Sequence, residues 1–389
     1  MFAATRADAL AALEDFLPRA GRAYASRRNH DGGPGTERTT SLLSPAIRRK
    51  LISEADVAER VMATQGAAAG EKFLQEVCWR SYWVGWLMQR PHVWTRCREE
   101  LAALLARTDL DRAPQRRYAA AIAGETGIDA FDAWARELVE TGWLHNHARM
   151  NFASIWIFTL KLPWQLGAHF FYRHLLDACP ASNTLSWRWV AGLQTAGKTY
   201  LANAEAIRQM HPRFRLEASL ARVAQPLPID DPGPPRGIPR ADVIDSEKRT
   251  GLFLTTADLS PETQILPPIV AVAATSRIGG DPAPLKRAHA EAALADGLAR
   301  AASHARAAPE HLNEDHPVEA MRAWVARHGL EQVITGEAAI GPEAARIAAL
   351  RAAGIPIVQL RRRWDAVAWP EASKGFFNFK GVIPKLLAG

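Results

Sequence analysis

The segment from Thr141 to Trp156, TGWLHNHARMNFASIW, places polar and cationic side chains inside a stretch with apolar flanks. In a helix, Asn146, Arg149 and Met150 fall at positions i, i+3 and i+4 and share one face. Burying a guanidinium and an amide on such a face costs free energy unless another group pairs with them. The spacing therefore predicts an internal site in which Arg149 has a partner.

Three other segments carry side chains with hydroxyl, carboxyl, amide or indole groups. They are TERTTSLLSPAIRRK (36–50), FLQEVCWRSYW (73–83) and HLLDACPASNTLSWRWV (174–190). Ser44 followed by Pro45 predicts an N-cap and the first residue of a helix, whose free N–H groups can bind an anion. Taken alone, SLLSP favours an ordinary capped helix that binds nothing.

Apolar residues recur with helical periodicity through the first part of the chain and predict an all-helical domain over residues 1–223. A segment with six prolines and two glycines follows, AQPLPIDDPGPPRGIPRADV, and predicts a linker over residues 224–243. The helical segments are ALAALEDFLPRAGRAYASR, ISEADVAERVMATQG, EKFLQEVCWRSYWVGWLMQ, TRCREELAALLART, AFDAWARELVETGWLHN and WQLGAHFFYRHLLDACP.

Residues 244–389 show a different pattern, in which short apolar runs alternate with helical segments. GLFLTTADLS, PPIVAVAATS, LEQVITGE and IPIVQLRR read as buried strands, and three helical stretches separate them. This alternation predicts a small parallel α/β domain. No glycine-rich phosphate loop opens any of its helices, so the pattern does not predict a nucleotide site there. The predicted fold class is α + α/β.

The composition bounds the function without defining it. The chain has 389 residues, 48% hydrophobic and 23% charged, and its three scattered cysteines predict neither a disulfide framework nor a zinc site, which favours a reducing cytosol. The acids within the N-terminal apolar pattern argue against a signal peptide, and we expect no membrane span. The net charge of +7 permits an anionic partner such as nucleic acid, although IRRKL and LRRRW also fit solvated faces.

Taken together, SLLSP, EVCWR, TGWLHNHARM and NTLSWRW resemble, in order and spacing, the signatures of the flavin-binding helical domain of the DNA photolyase/cryptochrome family. The resemblance spans about residues 20–200. It implies FAD as the cofactor and FAD-dependent, light-driven electron transfer as the chemistry. The implied cofactor-binding residues are Tyr24, Thr40, Ser41, Leu43, Ser44, Glu76, Arg80, Asn146, Arg149, Asp177, Cys179 and Asn183.

Within that set, the resemblance implies particular roles. Thr40, Ser41, Leu43 and Ser44 would hold the phosphates and ribityl chain, and Arg149 would pair with Asp177 beside the isoalloxazine ring through a charge-assisted bond. Asn183 would face the flavin N5, where a neutral amide can bond the reduced ring without adding negative charge. From the residues alone, Asp177 could instead cap a helix end and Asn183 could be a turn residue.

The resemblance also implies a lesion pocket and an electron-transfer chain. The implied lesion-pocket residues are Glu76, Trp79, Asn146, Met150 and Trp189, of which the indoles could stack on an extruded pyrimidine dimer. Trp187 and Trp164 match the two inner members of the tryptophan chain. The outer member would fall near Leu110, where no aromatic stands, so Tyr118, Trp143 or Trp156 could substitute. The alternative for each tryptophan is an ordinary core role.

Several departures from the family pattern bear on function. The helical domain precedes the α/β domain, the reverse of the usual order, and the α/β domain is a possible counterpart of the antenna domain. His147 replaces an arginine that faces DNA in relatives, Cys179 replaces an acid near the flavin, and GLQTAGKTYLANAEAIRQMHPRF lacks the usual features after the second tryptophan. These changes weaken the DNA-contact surface more than the flavin cradle.

Three functions remain open at this stage. The first is a photolyase-like lyase that acts on cyclobutane pyrimidine dimers in damaged DNA, with single-stranded DNA favoured as the partner. The second is a cryptochrome-like blue-light photoreceptor, and the third is a FAD-binding relative without repair activity. The sequence assigns no metal and leaves the antenna chromophore and any protein partners undetermined.

Overall fold

The structure, a computed structural model, describes residues 2–106, 112–228, 231–275 and 279–388, with the side chain of Arg112 excepted. The chain forms two compact units. The first unit contains residues 1–20, 42–89 and 235–389, and the second contains residues 21–41 and 90–234. These boundaries differ from those of the sequence-based division at residues 224–243, which stays a prediction. Each unit is described by itself.

The α-helices, in chain order, are α1 (Arg6–Phe16), α2 (Arg22–Arg27), α3 (Ser44–Arg48), α4 (Glu54–Met88), α5 (Pro91–Ala106), α6 (Arg112–Ala123), α7 (Asp129–Thr141), α8 (Asn146–Ser154), α9 (Trp164–His174), α10 (Pro180–Val190), α11 (Ala204–Met210), α12 (Pro284–Ala305), α13 (Pro317–His328), α14 (Pro342–Ala352), α15 (Arg363–Glu371), α16 (Phe376–Phe379) and α17 (Ile383–Leu387). The strands are β1 (Thr250–Leu254), β2 (Ile269–Ala274), β3 (Pro309–His311), β4 (Gln332–Gly336) and β5 (Ile357–Leu360). Short 3₁₀ turns cover Leu17–Arg19, Pro261–Thr263 and Lys380–Val382, and a π-helix covers Ile155–Thr159.

The first unit is built on a five-stranded sheet with the order β3-β2-β1-β4-β5, in which every neighbouring pair is parallel. All five residues of β1 and of β4 are buried, as expected of central strands in a parallel sheet. The predicted α + α/β class is confirmed. The predicted sheet missed only β3, whose sequence Pro-Glu-His has neither apolar alternation nor strand-forming residues.

An ion pair occupies the carboxyl edge of this sheet. Asp258 follows β1 and Arg362 follows β5, and their side chains form two hydrogen bonds, of 2.6 Å from Nε to Oδ2 and 2.8 Å from Nη2 to Oδ1. The same guanidinium donates to the carbonyl of Ser260 at 2.8 Å. Gly336 at the end of β4 lies against Asp258, so that a Cβ there would stand 2.2 Å from the Asp258 Cβ. The carboxyl edge of the sheet is thus occupied by the side chains of Asp258 and Arg362, which neutralise each other.

Helix α4 joins the helical part of the first unit to its C-terminal segment. The helix begins with a capping box at Ser53 and Asp56, and it is interrupted at Gly66, whose φ is +72°. Its last turns pack against α15, where Gly85 lies beside the backbone of Trp369. A Cβ on Gly85 would stand 2.7 Å from both the Cα and the carbonyl oxygen of Trp369. Glycine is therefore required for this close approach.

The second unit is helical and encloses a large aromatic core. Phe131, Trp134, Phe152, Trp156 and Trp187 are each at most 2% exposed and belong to one continuous apolar cluster. The apolar stripe of α7 faces this cluster, and α8 continues through the π-helix toward α9. The described residues between Met210 and Thr250 carry no helix or strand. In the described parts of the chain, every helix is too short or too polar to cross a bilayer.

Replacing Gly85 by Ala should force α4 and α15 apart. Overpacking against backbone atoms costs about 1–3 kcal/mol, and we expect the free energy of unfolding measured in urea to fall by that amount. Gly381→Ala is the matched control, because nothing lies within 4 Å of a Cβ at that position. It should stay within about 0.5 kcal/mol of the parent protein. Equal stability of the two variants would contradict the described packing.

Candidate functional site

Arg149 of α8 makes a bidentate ion pair with Asp177, which lies between α9 and α10. The distances are 3.0 Å from Nη1 to Oδ1 and 2.9 Å from Nη2 to Oδ2. The third guanidinium nitrogen, Nε, donates to the carbonyl oxygen of Leu144 at 2.8 Å. The Asp177 side chain is 5% exposed and that of Arg149 is 23% exposed. Arg149 is therefore half-buried and contacts Asp177, the acid with which the resemblance pairs it.

Asn183 lies in the first half of α10 and is held in a defined orientation. Its Nδ2 donates to the carbonyl oxygen of Ala168 on α9 at 2.8 Å. That bond leaves the Oδ1 atom as an acceptor, which suits a hydrogen-bond donor such as the N–H of a reduced flavin. Cys179 is the residue before α10 and is buried, so this position supplies no charge where relatives carry an acid.

The predicted phosphate-binding segment is divided between the two units. Thr40 and Ser41 belong to the second unit, and Leu43 and Ser44 belong to the first. The prediction that Ser44 is the N-cap is wrong: α3 begins at Ser44, and Leu43 occupies the cap position without a side-chain hydrogen bond. Pro45 is therefore the second residue of the helix, a position that also tolerates proline. With only five residues, α3 has a small macrodipole, so an anion there would rely on individual N–H and O–H groups.

Two buried polar atoms near this segment lack a hydrogen-bond partner among the described residues. One is Oγ1 of Thr40 in the second unit, and the other is Nη1 of Arg80 in the first. Arg80 does donate from Nη2 to the carbonyl oxygen of Ser44, at 3.4 Å. Buried polar atoms are almost always satisfied by protein, water or ligand. A cofactor with phosphate and hydroxyl oxygens would satisfy Oγ1 of Thr40, which belongs to the same unit as Arg149 and Asp177, so the residues of the second unit fit FAD.

The predicted lesion-pocket residues of the first unit lie on α4. Glu76 is exposed, whereas Trp79 is half-buried and stacks on Phe376 of α16, with 3.6 Å between ring centroids and 8° between ring planes. Trp83 and Tyr82 complete the cluster, with centroids 5.1 Å and 5.5 Å from that of Trp79. One face of the Trp79 indole is therefore already covered by the C-terminal segment.

The other predicted lesion-pocket residues lie in the second unit. Asn146 is exposed at the start of α8, and its Nδ2 lies 3.8 Å from the sulfur of Met150 one turn later. Trp189 stacks on Tyr200 at 5.7 Å between centroids. Tyr24, an implied cofactor contact, is 8% exposed on α2. The lesion-pocket assignments stay predictions.

The predicted electron-transfer residues are buried in the second unit. Trp187 is 2% exposed and Trp164 is 4% exposed. Trp164 begins α9 and lines a cleft of roughly 930 Å³ together with Arg188, Gln165 and Glu100. The implied position of the outer member, Leu110, lies outside the described residues.

The three candidate substitutes for the outer member differ in their surroundings. Trp156 is fully buried, Tyr118 is half-buried with its ring 6.0 Å from that of Trp156, and Trp143 lies under the guanidinium of Arg38 at 5.5 Å. Trp156 and Tyr118 therefore form an oxidisable pair, whereas Trp143 contacts a cation that disfavours a positive charge on its ring.

A histidine cluster beside α8 escaped the sequence analysis. His147 Nδ1 lies 3.0 Å from His211 Nε2, and His211 Nδ1 lies 3.3 Å from Asp31 Oδ2. His145 caps α8 by accepting from the N–H of His147 at 3.2 Å. His211 and Asp31 come from distant parts of the chain, in no shared motif, so only the fold reveals the cluster. In the described parts of the chain, His, Cys, Asp and Glu side chains form no group suited to a metal ion.

Burial sets the protonation state of this cluster. It lowers the pKa of His145 to about 4, helped by repulsion from His211 and His147 and opposed by Asp31. Burial and repulsion from His211 likewise lower the pKa of His147 to about 4. For Asp31, burial raises the pKa, but contact with His211, the charge of His145 and the N–H of Gly33 together lower it to about 2.

The comparison with known families agrees with this geometry. A sequence model described as the FAD binding domain of DNA photolyase matches residues 73–214. A deoxyribodipyrimidine photo-lyase of Streptomyces griseus is 36% identical over 157 residues, which are 40% of this chain and 33% of that protein. Another, from Agrobacterium fabrum, is 32% identical over 188 residues, which are 47% of this chain and 37% of that protein. The chain thus spans about a third of the length of these two relatives.

Among solved structures, a bacterial class III photolyase from Agrobacterium tumefaciens is 29% identical and has a TM-score of 0.45, covering 53% of this chain and 42% of its own. The Arg149–Asp177 pair lies within the region that matches the FAD-binding domain model. Residues 73–214 of the chain are thus similar to the FAD-binding domain of the photolyase/cryptochrome family.

Arg149→Ala should leave the buried Asp177 carboxylate without its guanidinium. Breaking a buried ion pair lowers the free energy of unfolding by about 3–5 kcal/mol. We expect a value at the lower end of this range, because Arg149 is partly exposed. Urea denaturation should show this loss. The double variant Arg149→Met/Asp177→Leu removes both charges and should lose less stability. If the double variant is no more stable than Arg149→Ala, the ion pair is not what stabilises this region.

Acid should destabilise the protein through the histidine cluster. Both folded-state pKa values, about 4, lie below the ordinary value of 6.5, so between these limits the unfolded chain binds more protons than the folded one. Stability should therefore be full above pH 6.5 and fall as the pH drops toward 4, with a further loss below pH 3.8 from Asp31. Urea midpoints measured across this range should be less pH-dependent in His145→Asn, which keeps a capping acceptor. An unchanged dependence in that variant would refute the assignment.

Proposed function

We propose that the chain is a light-dependent, photolyase-like flavoprotein that acts on cyclobutane pyrimidine dimers in DNA. The observation that carries the proposal is the pair of half-buried Arg149 and buried Asp177 within the region that matches the FAD-binding domain model. Reduced FAD, excited by light, would supply the electron that splits the cyclobutane ring and would regain it afterwards. No nucleophile or hydrolytic base is required for such a reaction, and the sequence patterns predict neither.

The chain's own residues would have three tasks in this function. Arg149 and Asp177 would hold their charges beside the ring system, and Asn183 would present its amide oxygen to the edge of that ring. Thr40 would bind a phosphate or ribityl oxygen, which its buried Oγ1 requires. Fixed charges and oriented dipoles of this kind tune the electronic properties of a bound cofactor.

Single-stranded DNA is the proposed form of the substrate. A dimer in a duplex must be unpaired and flipped outward, which costs about a few kcal/mol per event. His147 replaces the DNA-facing arginine of relatives, so less phosphate contact is available to offset that cost. A single strand avoids much of it, and its affinity should fall with rising salt because phosphate contacts release counterions.

One observation favours a second candidate, a cryptochrome-like photoreceptor without repair activity. Phe376 stacks on Trp79 at 3.6 Å with nearly parallel planes, which is the position that a base would take on this indole. Phe376 is 8% exposed and belongs to the packed C-terminal segment. In this candidate the aromatic cluster is a permanent part of the core, and the C-terminal segment is available as an output element.

A repair assay with four variants separates the two candidates. The light-exposed, reduced protein should split dimers in oligonucleotides, faster in single strands than in duplexes, while Glu76→Ala and Trp79→Ala should lower the rate. Phe376→Ala should raise affinity for the dimer, because base stacking on an aromatic ring contributes about 1–3 kcal/mol. Phe377→Ala is the matched control, since Phe377, the residue after Phe376, is 90% exposed and makes no such stack.

Each of these proteins should be yellow and should release FAD on denaturation. A colourless protein after gentle purification with added FAD would overturn the cofactor assignment. If FAD is bound but neither the parent protein nor Phe376→Ala splits dimers in either kind of DNA, the repair function is wrong and the photoreceptor is the better candidate.

A further inference from the structure

The ring of Trp187 is adjacent to three aromatic rings in the second unit. The centroid distances are 5.1 Å to Phe171, 6.1 Å to Trp156 and 6.5 Å to Phe152. An indole loses an electron far more readily than a phenyl ring. Among the described neighbours in ring contact with Trp187, Trp156 is therefore the one that can refill an oxidised Trp187.

From Trp156 the next oxidisable ring leads outward. Tyr118 on α6 lies 6.0 Å from Trp156 in an edge-to-face arrangement. Trp156 is fully buried, whereas Tyr118 is half-buried and reaches solvent. Trp164, the second inner member implied by the family pattern, makes no ring contact with any described aromatic side chain. The continuous series of adjacent rings is thus Trp187, Trp156 and Tyr118.

Hydrogen bonding favours movement of positive charge in the same direction. The Nε1 of Trp187 is buried without a hydrogen-bond partner among the described residues. The Nε1 of Trp156 donates to the carbonyl oxygen of Pro163 at 2.9 Å. A carbonyl oxygen on the indole N–H stabilises a positive charge on that ring, and such charge-assisted bonds are stronger than neutral ones. Trp156 is therefore easier to oxidise than Trp187.

Two local features bring these indoles together. Trp156 lies in the π-helix Ile155–Thr159, an irregularity that is frequent at functional sites. Gly167 of α9 lies where both rings meet. A Cβ on it would stand 2.3 Å from Cη2 of Trp187 and 2.9 Å from Cε2 of Trp156. The absence of a side chain at this position is what allows both rings to approach the same turn.

We propose that Trp156 and Tyr118 form the exit route for positive charge from Trp187, in place of a route through Trp164. The inference rests on the proposed function, because the oxidant is light-excited, oxidised FAD. Trp187 gives one electron to that oxidant, Trp156 gives one to Trp187, and Tyr118 gives one to Trp156. Oxidised Tyr118 then releases its phenolic proton to water, so one electron has moved inward and one proton outward.

Flash photolysis of the FAD-loaded protein tests this route by the identity of the oxidised residue. The parent protein should end with a neutral tyrosyl radical, formed more slowly in D₂O because the phenolic proton is lost. Tyr118→Phe should end with an oxidised tryptophan instead. Trp156→Phe should end with neither a tyrosyl radical nor an oxidised tryptophan, because the separated charges should recombine several-fold faster. Trp164→Phe should keep the tyrosyl signal.

Tyr200→Phe is the matched control for Tyr118→Phe, because Tyr200 also contacts a tryptophan, Trp189, at 5.7 Å. It should leave the signal unchanged. A tyrosyl signal that survives Tyr118→Phe, or that disappears in Trp164→Phe, would overturn the route.

A second experiment uses the FAD-free protein, so that failure of the exit route can be told apart from failure of the proposed function. Azide radicals generated by pulse radiolysis oxidise tryptophans of the FAD-free protein, and the subsequent transfer from tyrosine to tryptophan is followed by absorption. The first-order transfer should lose amplitude in Tyr118→Phe and in Trp156→Phe but not in Tyr200→Phe. Loss of amplitude in a protein that never binds FAD would support the route while refuting the proposed function. Unchanged amplitude in Tyr118→Phe would overturn the route itself.

Discussion

The ion pair between Arg149 and Asp177 is the interaction on which the second unit's site depends. One guanidinium uses all three of its nitrogens, two on the carboxylate and one on the carbonyl of Leu144. It thereby ties α8 and the turn before it to the segment that precedes α10. Because α10 starts three residues after Asp177, the same bond fixes the beginning of the helix that carries Asn183 and Trp187. Charge-assisted, bidentate geometry restricts orientation as well as distance, which a neutral contact would not do.

Much of the fold could be predicted because its elements have local signatures. Apolar runs bounded by Gly and Pro predicted β1, β2, β4 and β5, and their alternation with helices predicted a parallel sheet. The strand β3 was missed because three polar-flanked residues at a sheet edge carry no periodic signal. The start of α3 was misplaced by one residue, since Pro45 is compatible with either of the first two helical positions.

The site was predictable to the extent that its members share motifs. Arg149 and Asp177 were paired from the sequence because both stand in family signatures, and their contact is present. Phe376 could not be placed against Trp79, because the two rings are brought together only when the C-terminal helices pack on α4. Likewise, Asp31 and His211 meet only through tertiary structure, because they stand in widely separated segments of the chain.

The division of the first unit into three chain segments has a consequence for biosynthesis. Residues 42–89 leave the ribosome before residues 235–389, which contain α15, α16 and α17, the helices that pack on α4. The apolar face of α4 must therefore wait until α15 to α17, within residues 363–387, have been made. The second unit has all its residues by position 234 and can fold first. Contacts between such distant segments raise contact order, which slows folding and prolongs exposure of Trp79, Trp83 and their neighbours to chaperones and to aggregation.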